Sequence, residues 1–332
     1  VTGHAACHIT ETIKPLNLKS KSCKSHDEPL VWNSSFITIA HVMTALSPQT
    51  PIDQLDLATL ADGVINITRQ AGELLAVYYN QHLASGIEVV TKDDASPVTA
   101  ADMASHQLIS QGLRALYDIP VLSEESADVS QRHQWQRFWL VDPLDGTKEF
   151  LKKNGEFTVN VALVEAGRVV LGAIGVPLKR DVYLALHETT RTPALKMAYF
   201  INAQDQRTAL NGHHLDGRVL RTAMSRSAFD NSDYRPYVTQ LTQAGWLLDT
   251  VNAGSAYKFC LMAVGSIDFY PRLHPTSEWD TASGQCLLEV VGGALVDLEG
   301  RPFTYNQRDR LLNGSFIAVT DRALLPEVLP AS

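Results

Sequence analysis

The stretch whose reading decides the fold is Trp139-Leu140-Val141-Asp142-Pro143-Leu144-Asp145-Gly146-Thr147. The apolar run Phe138–Val141 reads as a buried strand that ends on Asp142. Pro143 has a fixed φ and no N–H, so it breaks strand pairing and fixes a turn. Asp145 follows three residues after Asp142, close enough for the two carboxylates to converge at the strand end. Gly146-Thr147 then opens a helix, whose free amides and dipole favour an anion such as phosphate. Acidic oxygens beside an anion site suit a divalent metal bridging to a phosphate, and Mg2+ prefers hard oxygen ligands. A lone DxxD turn reads as easily as an Asp-capped turn. The whole string is more specific, because strand, turn, second acid and Gly-Thr all fit one task.

Two other acidic sites look like partners. Ser123-Glu124-Glu125 follows a short strand at Pro120–Leu122; in isolation it is an exposed loop with solvated charges. Trp279-Asp280-Thr281-Ala282-Ser283-Gly284 opens a helix predicted from Asp280 to about Val291 and stopped by Gly292-Gly293. In isolation Asp280 is an N-cap, a role that leaves its second oxygen for a metal. Asp102 closes Ser96-Pro97-Val98-Thr99-Ala100-Ala101-Asp102, at the first turn of a helix predicted over Ala100–Leu116. There its plainest role is a favourable charge on the helix dipole.

The chain around these motifs has 332 residues, which suits two domains or one large one. Hydrophobic residues make up 45% and charged residues 19%, which excludes disorder as the main state. Lys plus Arg is 28 against 36 for Asp plus Glu, a net charge of -8. An acidic surface repels phosphates, and no basic stripe or aromatic-interleaved motif is present, so a nucleic-acid polymer is not the expected partner. A local basic pocket for a small anion is still allowed. No run of 18 apolar residues marks a membrane span. Cys7, Cys23, Cys260 and Cys286 form no CxxC pair, so they read as free thiols of a reducing compartment, with Cys260 and Cys286 in apolar helical patterns as core residues.

Along the chain, residues 1–42 lack sustained periodicity. We expect them to be an upstream extension or a disordered tail, with Met43 as the true start; mass spectrometry of the native N-terminus tests this. An amphipathic helix is predicted from about 55 to 79, a strand at Val89–Thr91 and a hairpin of Phe157–Val164 with Val169–Val176. Residues 187–218 read as polar and irregular, with His213 and His214 as surface residues. A new alternating region starts near Val219 and ends with a strand at Ala294–Asp297. The expected division is 43–218 for an N-terminal subdomain with the metal-binding motifs and 219–332 for a C-terminal one, two α/β layers meeting at a cleft.

The strings WLVDPLDGTKEF at 139–150 and WDTASGQCLLEVVGG at 279–293 resemble the signatures of the lithium-sensitive, Mg2+-dependent inositol monophosphatase superfamily, and SPVTAAD at 96–102 and LSEES at 122–126 also fit. Lys148-Glu149-Phe150 after the Gly-Thr, Asn154–Asn160, Gly254–Cys260 and Tyr270-Pro271-Arg272 make the chain most similar to its bacterial 3′(2′),5′-bisphosphate nucleotidases. The resemblance runs from about residue 55 to 316. It implies a sugar-phosphatase fold, α+β and α/β layered αβαβα, with the active site between two subdomains. It implies that Glu124, Asp142 and the Leu144 carbonyl hold one Mg2+. Asp142, Asp145 and Asp280 would hold a second, and Glu124 with water a third, weaker one. Thr147 paired with Asp102 would activate the attacking water, and the Gly146 and Thr147 amides would hold phosphate oxygens. Ser255, Lys258 and Arg272 would contact the nucleotide and its second phosphate. The implied substrate is 3′-phosphoadenosine 5′-phosphate, hydrolysed to AMP in the cytoplasm, with a peripheral place at the inner membrane as a variant; the oligomeric state is left open. Where the nucleotidases commonly have Gly-Ser-Ser-Leu-Lys this chain has Ala256 and Tyr257, and Ala228 stands where a His is common. These departures bear on nucleoside specificity. The rival readings are an inositol-1-phosphatase or broader sugar phosphatase, and a non-catalytic Mg2+ and nucleotide sensor.

Overall fold

Leu57, Leu60, Val64, Ile67, Ala71 and Leu75 recur at helical spacing and are all buried, and they carry helix α1 (Leu57–Ser85). The computed structural model describes residues 50, 52, 55–85, 89–91, 97–126, 129–190, 193–224 and 233–330. These belong to the unit Met43–Ser332. The expectations for residues 1–42 and for 225–228 lie outside the described residues.

After α1 come a small hairpin, β1 (Val89–Thr91) and β2 (Pro97–Thr99), then α2 (Ala100–Leu116). The next strands are β3 (Val121–Ser123), β4 (Arg137–Asp145), the short helix α3 (Thr147–Leu151), β5 (Thr158–Glu165), β6 (Arg168–Val176), β7 (Asp181–Glu188), β8 (Leu195–Ile201) and β9 (Arg207–Ala209). They form a seven-stranded sheet in sequence order, with β3 and β4 parallel and each later pair antiparallel. The chain continues through β10 (Val219–Thr222), α4 (Arg235–Gln243), β11 (Leu247–Thr250), α5 (Tyr257–Ala263), β12 (Phe269–Arg272), β13 (Thr276–Ser277), α6 (Glu278–Val290), β14 (Ala294–Val296), β15 (Leu312–Asn313), β16 (Phe316–Val319) and α7 (Leu325–Val328). A five-stranded sheet runs β11-β10-β12-β16-β14.

Alternation along the strands sorts the layers. Trp139, Val141, Val161 and Leu163 face one core with α1 and α2. Phe138, Leu140, Ala162 and Val164 face another, filled by α5 and α6 together with Tyr270, Phe316 and Ala318 of the second sheet. The far side of the second sheet, with Leu220, Phe269, Ile317 and Val319, packs against residues of α4 and α7. The order is therefore α1/α2, sheet, α5/α6, sheet, α4/α7: the αβαβα layering expected. The sheets separate between β9 and β10, yet α6 from the second half packs on β6 and β7 of the first.

Three readings change. The stretch 187–218 is only partly irregular, because β8 and β9 extend the sheet there. Their side chains lie at or near its edge, many of them half-exposed or exposed, so no apolar alternation marks them. Pro143 does not end β4; pairing resumes at Asp145 with Thr158 after a register shift, since a bulge absorbs the missing donor. The first helix runs to Ser85 rather than to 79.

Candidate active site

The acids are assembled by local folding around α2, which packs on β3 and β4. Ser105 Oγ donates to the Pro143 carbonyl at 2.8 Å, and His106 Nδ1 meets Ser123 Oγ at 2.9 Å. One helix thus grips both acidic loops and carries Asp102, which is 1% exposed. After β3 the Glu124 N–H donates to the Val141 carbonyl at 3.1 Å, which seats the Ser123–Ser126 turn against β4.

The turn at the end of β4 is closed by its own side chains. The Leu144 N–H donates to Asp142 Oδ1 at 3.1 Å, and Thr147 Oγ1 donates to the Leu144 carbonyl at 3.2 Å. Gly146 adopts φ +91°, a left-handed conformation that starts α3 and that a side chain would strain. Asp145 Oδ2 accepts from Asn160 Nδ2 at 3.2 Å, from Thr158 Oγ1 at 3.4 Å and from the Ala256 N–H. Those donors occupy one carboxylate oxygen, so Oδ1 is the atom left for a cation. Asp280 is not the N-cap of α6. Ser277 is, and Asp280 at N3 completes a capping box, its Oδ2 accepting the Ser277 N–H at 2.9 Å.

Asp142, Asp145 and Asp280 present ligand atoms within 4.8 Å of one another, and so do Asp102, Glu124 and Glu125. Burial first, and then the charges of Glu124, Asp145, Asp280 and Asp102, push the Asp142 carboxyl well above the usual range. Asp280 is pushed up to about 8 by burial and by Asp145. Asp145 is raised by burial, with Lys258 opposing. Buried like charges of hard oxygen chemistry lack enough positive charge from the protein, which fits a divalent cation.

A basic wall adjoins the acids. In the segment before α5, Ser255 takes φ +47° and the Ala256 N–H turns onto Asp145. A Cβ on Gly254 would lie 2.9 Å from the Glu156 carbonyl, so the approach needs glycine. Lys258 Nζ donates to the Ser255 carbonyl at 2.7 Å and lies 5.1 Å from the Tyr270 ring centroid. Burial lowers its pKa, while Asp145 supports the charged form. Lys258 and Arg272 line a pocket of about 330 Å3, shared with Glu149, Glu156, Tyr234, Tyr270 and His274. Tyr257, one of the departures in sequence, is bonded by Lys179, whose Nζ lies 4.6 Å from its ring centroid, so it fastens this segment to the β6–β7 connection.

Sequence reasoning assigned no role to Glu125, Asn160, Glu149 or Tyr234. The first three lie inside quoted motifs, which was the available signal; nothing marked Tyr234. His214 is exposed and pairs with Asp321 at 2.9 Å, and His213 lies near Arg221 at 3.2 Å, both away from the acids. Cys260 and Cys286 are free and buried in α5 and α6.

The chain matches the inositol monophosphatase family over residues 56–329. It is 39% identical over 259 residues to the 3′(2′),5′-bisphosphate nucleotidase CysQ of Escherichia coli K12, covering 77% of this chain and 98% of that protein. CysQ of Haemophilus influenzae is 34% identical over 270 residues, with 80% and 94% covered. Among solved structures, CysQ from Bacteroides thetaiotaomicron has a TM-score of 0.64 at 32% identity, covering 78% of this chain and 96% of that one. A Thermotoga maritima IMPase shares the fold, with a TM-score of 0.62 at 21% identity over 81% of this chain and 94% of its own. With the family match spanning most of the chain and relatives covered almost end to end, the chain belongs to the inositol monophosphatase family.

Proposed function

We propose that this chain is a Mg2+-dependent 3′(2′),5′-bisphosphate nucleotidase, a phosphoric monoester hydrolase that converts 3′-phosphoadenosine 5′-phosphate to AMP and phosphate. The observation that carries the reading is the coupling of two charged compartments. The Asp145 carboxylate takes a hydrogen bond from the backbone segment that leads into Lys258, which fastens the segment carrying the basic side chain to the acidic cluster. A bisphosphate has one phosphate for each compartment.

The acids would be divided as the resemblance implies. Glu124, Asp142 and the Leu144 carbonyl would hold one ion, and Asp142, Asp145 and Asp280 a second. Glu124 would carry a third, weaker one. Bound divalent ions supply Lewis-acid charge to phosphoryl oxygens and make water a stronger nucleophile. Thr147, paired with Asp102 as the resemblance implies, would orient and activate the attacking water. The Leu144 carbonyl accepts from Thr147 and, having two lone pairs, keeps one for an ion. The Gly146 and Thr147 amides bind phosphoryl oxygens. Ser255, Lys258 and Arg272 hold the second phosphate, which fixes the nucleotide so that the ester bond lies over the acids.

Phosphate release from 3′-phosphoadenosine 5′-phosphate, inositol 1-phosphate and fructose 1,6-bisphosphate tests this with Mg2+ present, repeated with Li+. The adenosine bisphosphate should have the highest kcat/KM, and Li+ should inhibit. A preference for inositol 1-phosphate would replace the reading with that of a sugar phosphatase. Ligand binding with no turnover would make the chain a sensor.

A further inference from the structure

Asn160 lies on β5 directly opposite Asp142 on β4, so the two side chains emerge on the same face of the sheet. It is 1% exposed. Its Nδ2 donates to Asp145 Oδ2 at 3.2 Å. That bond fixes the amide's orientation, because the reverse setting would press the amide oxygen against a carboxylate. Asn160 Oδ1 is buried and, among the described residues, has no hydrogen-bond partner. A buried amide oxygen without a donor is destabilising, because it has given up its bond to water. That oxygen belongs to a side chain that shares a sheet face with Asp142 and bonds Asp145, so it stands beside the carboxylate cluster.

We propose that Asn160 is a positioning residue of the cation site. Its amide nitrogen turns Asp145 so that Oδ1 of that carboxylate faces the ion. Its amide oxygen accepts a hydrogen bond from the water that hydrates the ion. Mg2+ keeps several waters when it is held by few carboxylates, so an uncharged acceptor among the acids is chemically suited to it. A further carboxylate at this position would add repulsion to a cluster that is already crowded with like charge. Asn160 therefore raises cation affinity at no electrostatic cost. The inference rests on the metal-dependent reading of the site.

Two variants test it, with Mg2+ titrated calorimetrically in the absence of substrate and Tm measured in EDTA. Asn160→Leu removes both the donor and the orphaned acceptor at similar volume. Asn160→Ser keeps a small polar group that spans neither partner. Partners that orient metal ligands typically contribute 10- to 100-fold in affinity. The expected result is a loss of about 10-fold or more in Mg2+ affinity in both variants. The metal-free Tm of Asn160→Leu should hold or rise, because the unsatisfied atom is gone. The proposal is overturned if either variant binds Mg2+ as the parent chain does. It is also overturned if affinity falls only where the metal-free Tm falls with it. A parent chain that binds no Mg2+ would instead overturn the metal-dependent reading.

Discussion

At the scale of single residues the site is a set of charges that the protein holds at a cost. Asp142 is the most crowded of them, with Glu124, Asp145, Asp280 and Asp102 all raising its pKa. Asp142→Asn removes a ligand assigned to two ions while keeping the shape and the bond from the Leu144 N–H. Because metal charge stabilisation is worth several kcal/mol, kcat should fall by at least about 100-fold. The metal-free Tm should not fall, since the change relieves repulsion. Turnover assays with a melting curve check both outcomes, and near-normal turnover would contradict the metal assignment. Lys258 tests the other compartment. Lys258→Ala loses a charge-assisted contact to the second phosphate, about 1.5–3 kcal/mol, so KM for a bisphosphate nucleotide should rise roughly 10- to 150-fold with kcat little changed. Equal damage to inositol 1-phosphate hydrolysis would show that Lys258 does not read the second phosphate.

At the scale of elements, α6 does most to place the acids from the second half of the chain. It lies between the sheets, and glycines allow it to approach so closely. A Cβ on Gly284 would sit 2.2 Å from the Phe259 ring on α5, and one on Gly172 of β6 would sit 2.8 Å from the Ser283 carbonyl. Gly284→Ala should therefore cost about 1–3 kcal/mol in overpacking. Gly284 lies one turn beyond Asp280, so displacement of the helix should also weaken Mg2+ binding. Calorimetric melting and a Mg2+ titration measure the two effects, and an unchanged Tm would show that α5 yields freely. These elements also show what sequence can reveal. Ala100–Leu116 was readable to the residue, because apolar periodicity and local chain chemistry set both of its ends. Asp142 and Asp145 were readable because a proline turn links them directly. Asp280 as a capping-box partner was less so, since Ser277 lies outside the helical pattern that drew attention. The bonds from Asn160 and Ala256 to Asp145 depend on strand register and on a contact between distant segments, and neither leaves a local pattern. Strands β8 and β9 were hidden for a related reason, as edge positions impose little hydrophobic alternation.

For the molecule as a whole, the layer of α5 and α6 joins both sheets into one core, and the acids draw on both. Asp142 and Asp145 come from the first sheet and Glu124 from the turn that follows its strand β3, while Asp280 comes from the shared helical layer. An acidic chain of net charge -8 that concentrates buried carboxylates here should therefore show its charge in global stability. A carboxyl that titrates higher in the folded chain than in the unfolded one keeps its proton after the unfolded chain has lost it. Asp280 is raised to about 8, and Asp142 and Asp145 are raised as well. From about pH 4, where free carboxyls ionise, up to about pH 8, the folded state binds more protons, so stability falls as pH rises. Each such proton removes about 1.4 kcal/mol per pH unit, which for a chain of this size lowers Tm by about 2 °C per unit. Divalent cations replace those protons, so saturating Mg2+ should flatten the slope and release protons on binding. Melting curves in EDTA and in Mg2+ between pH 5 and 8, with Asp280→Asn as the comparison, measure this directly. The parent chain in EDTA should lose stability across that range, and Asp280→Asn should lose less. A flat profile in EDTA would mean that the carboxylates are ionised without a cation, and that the fold itself supplies the compensating charge.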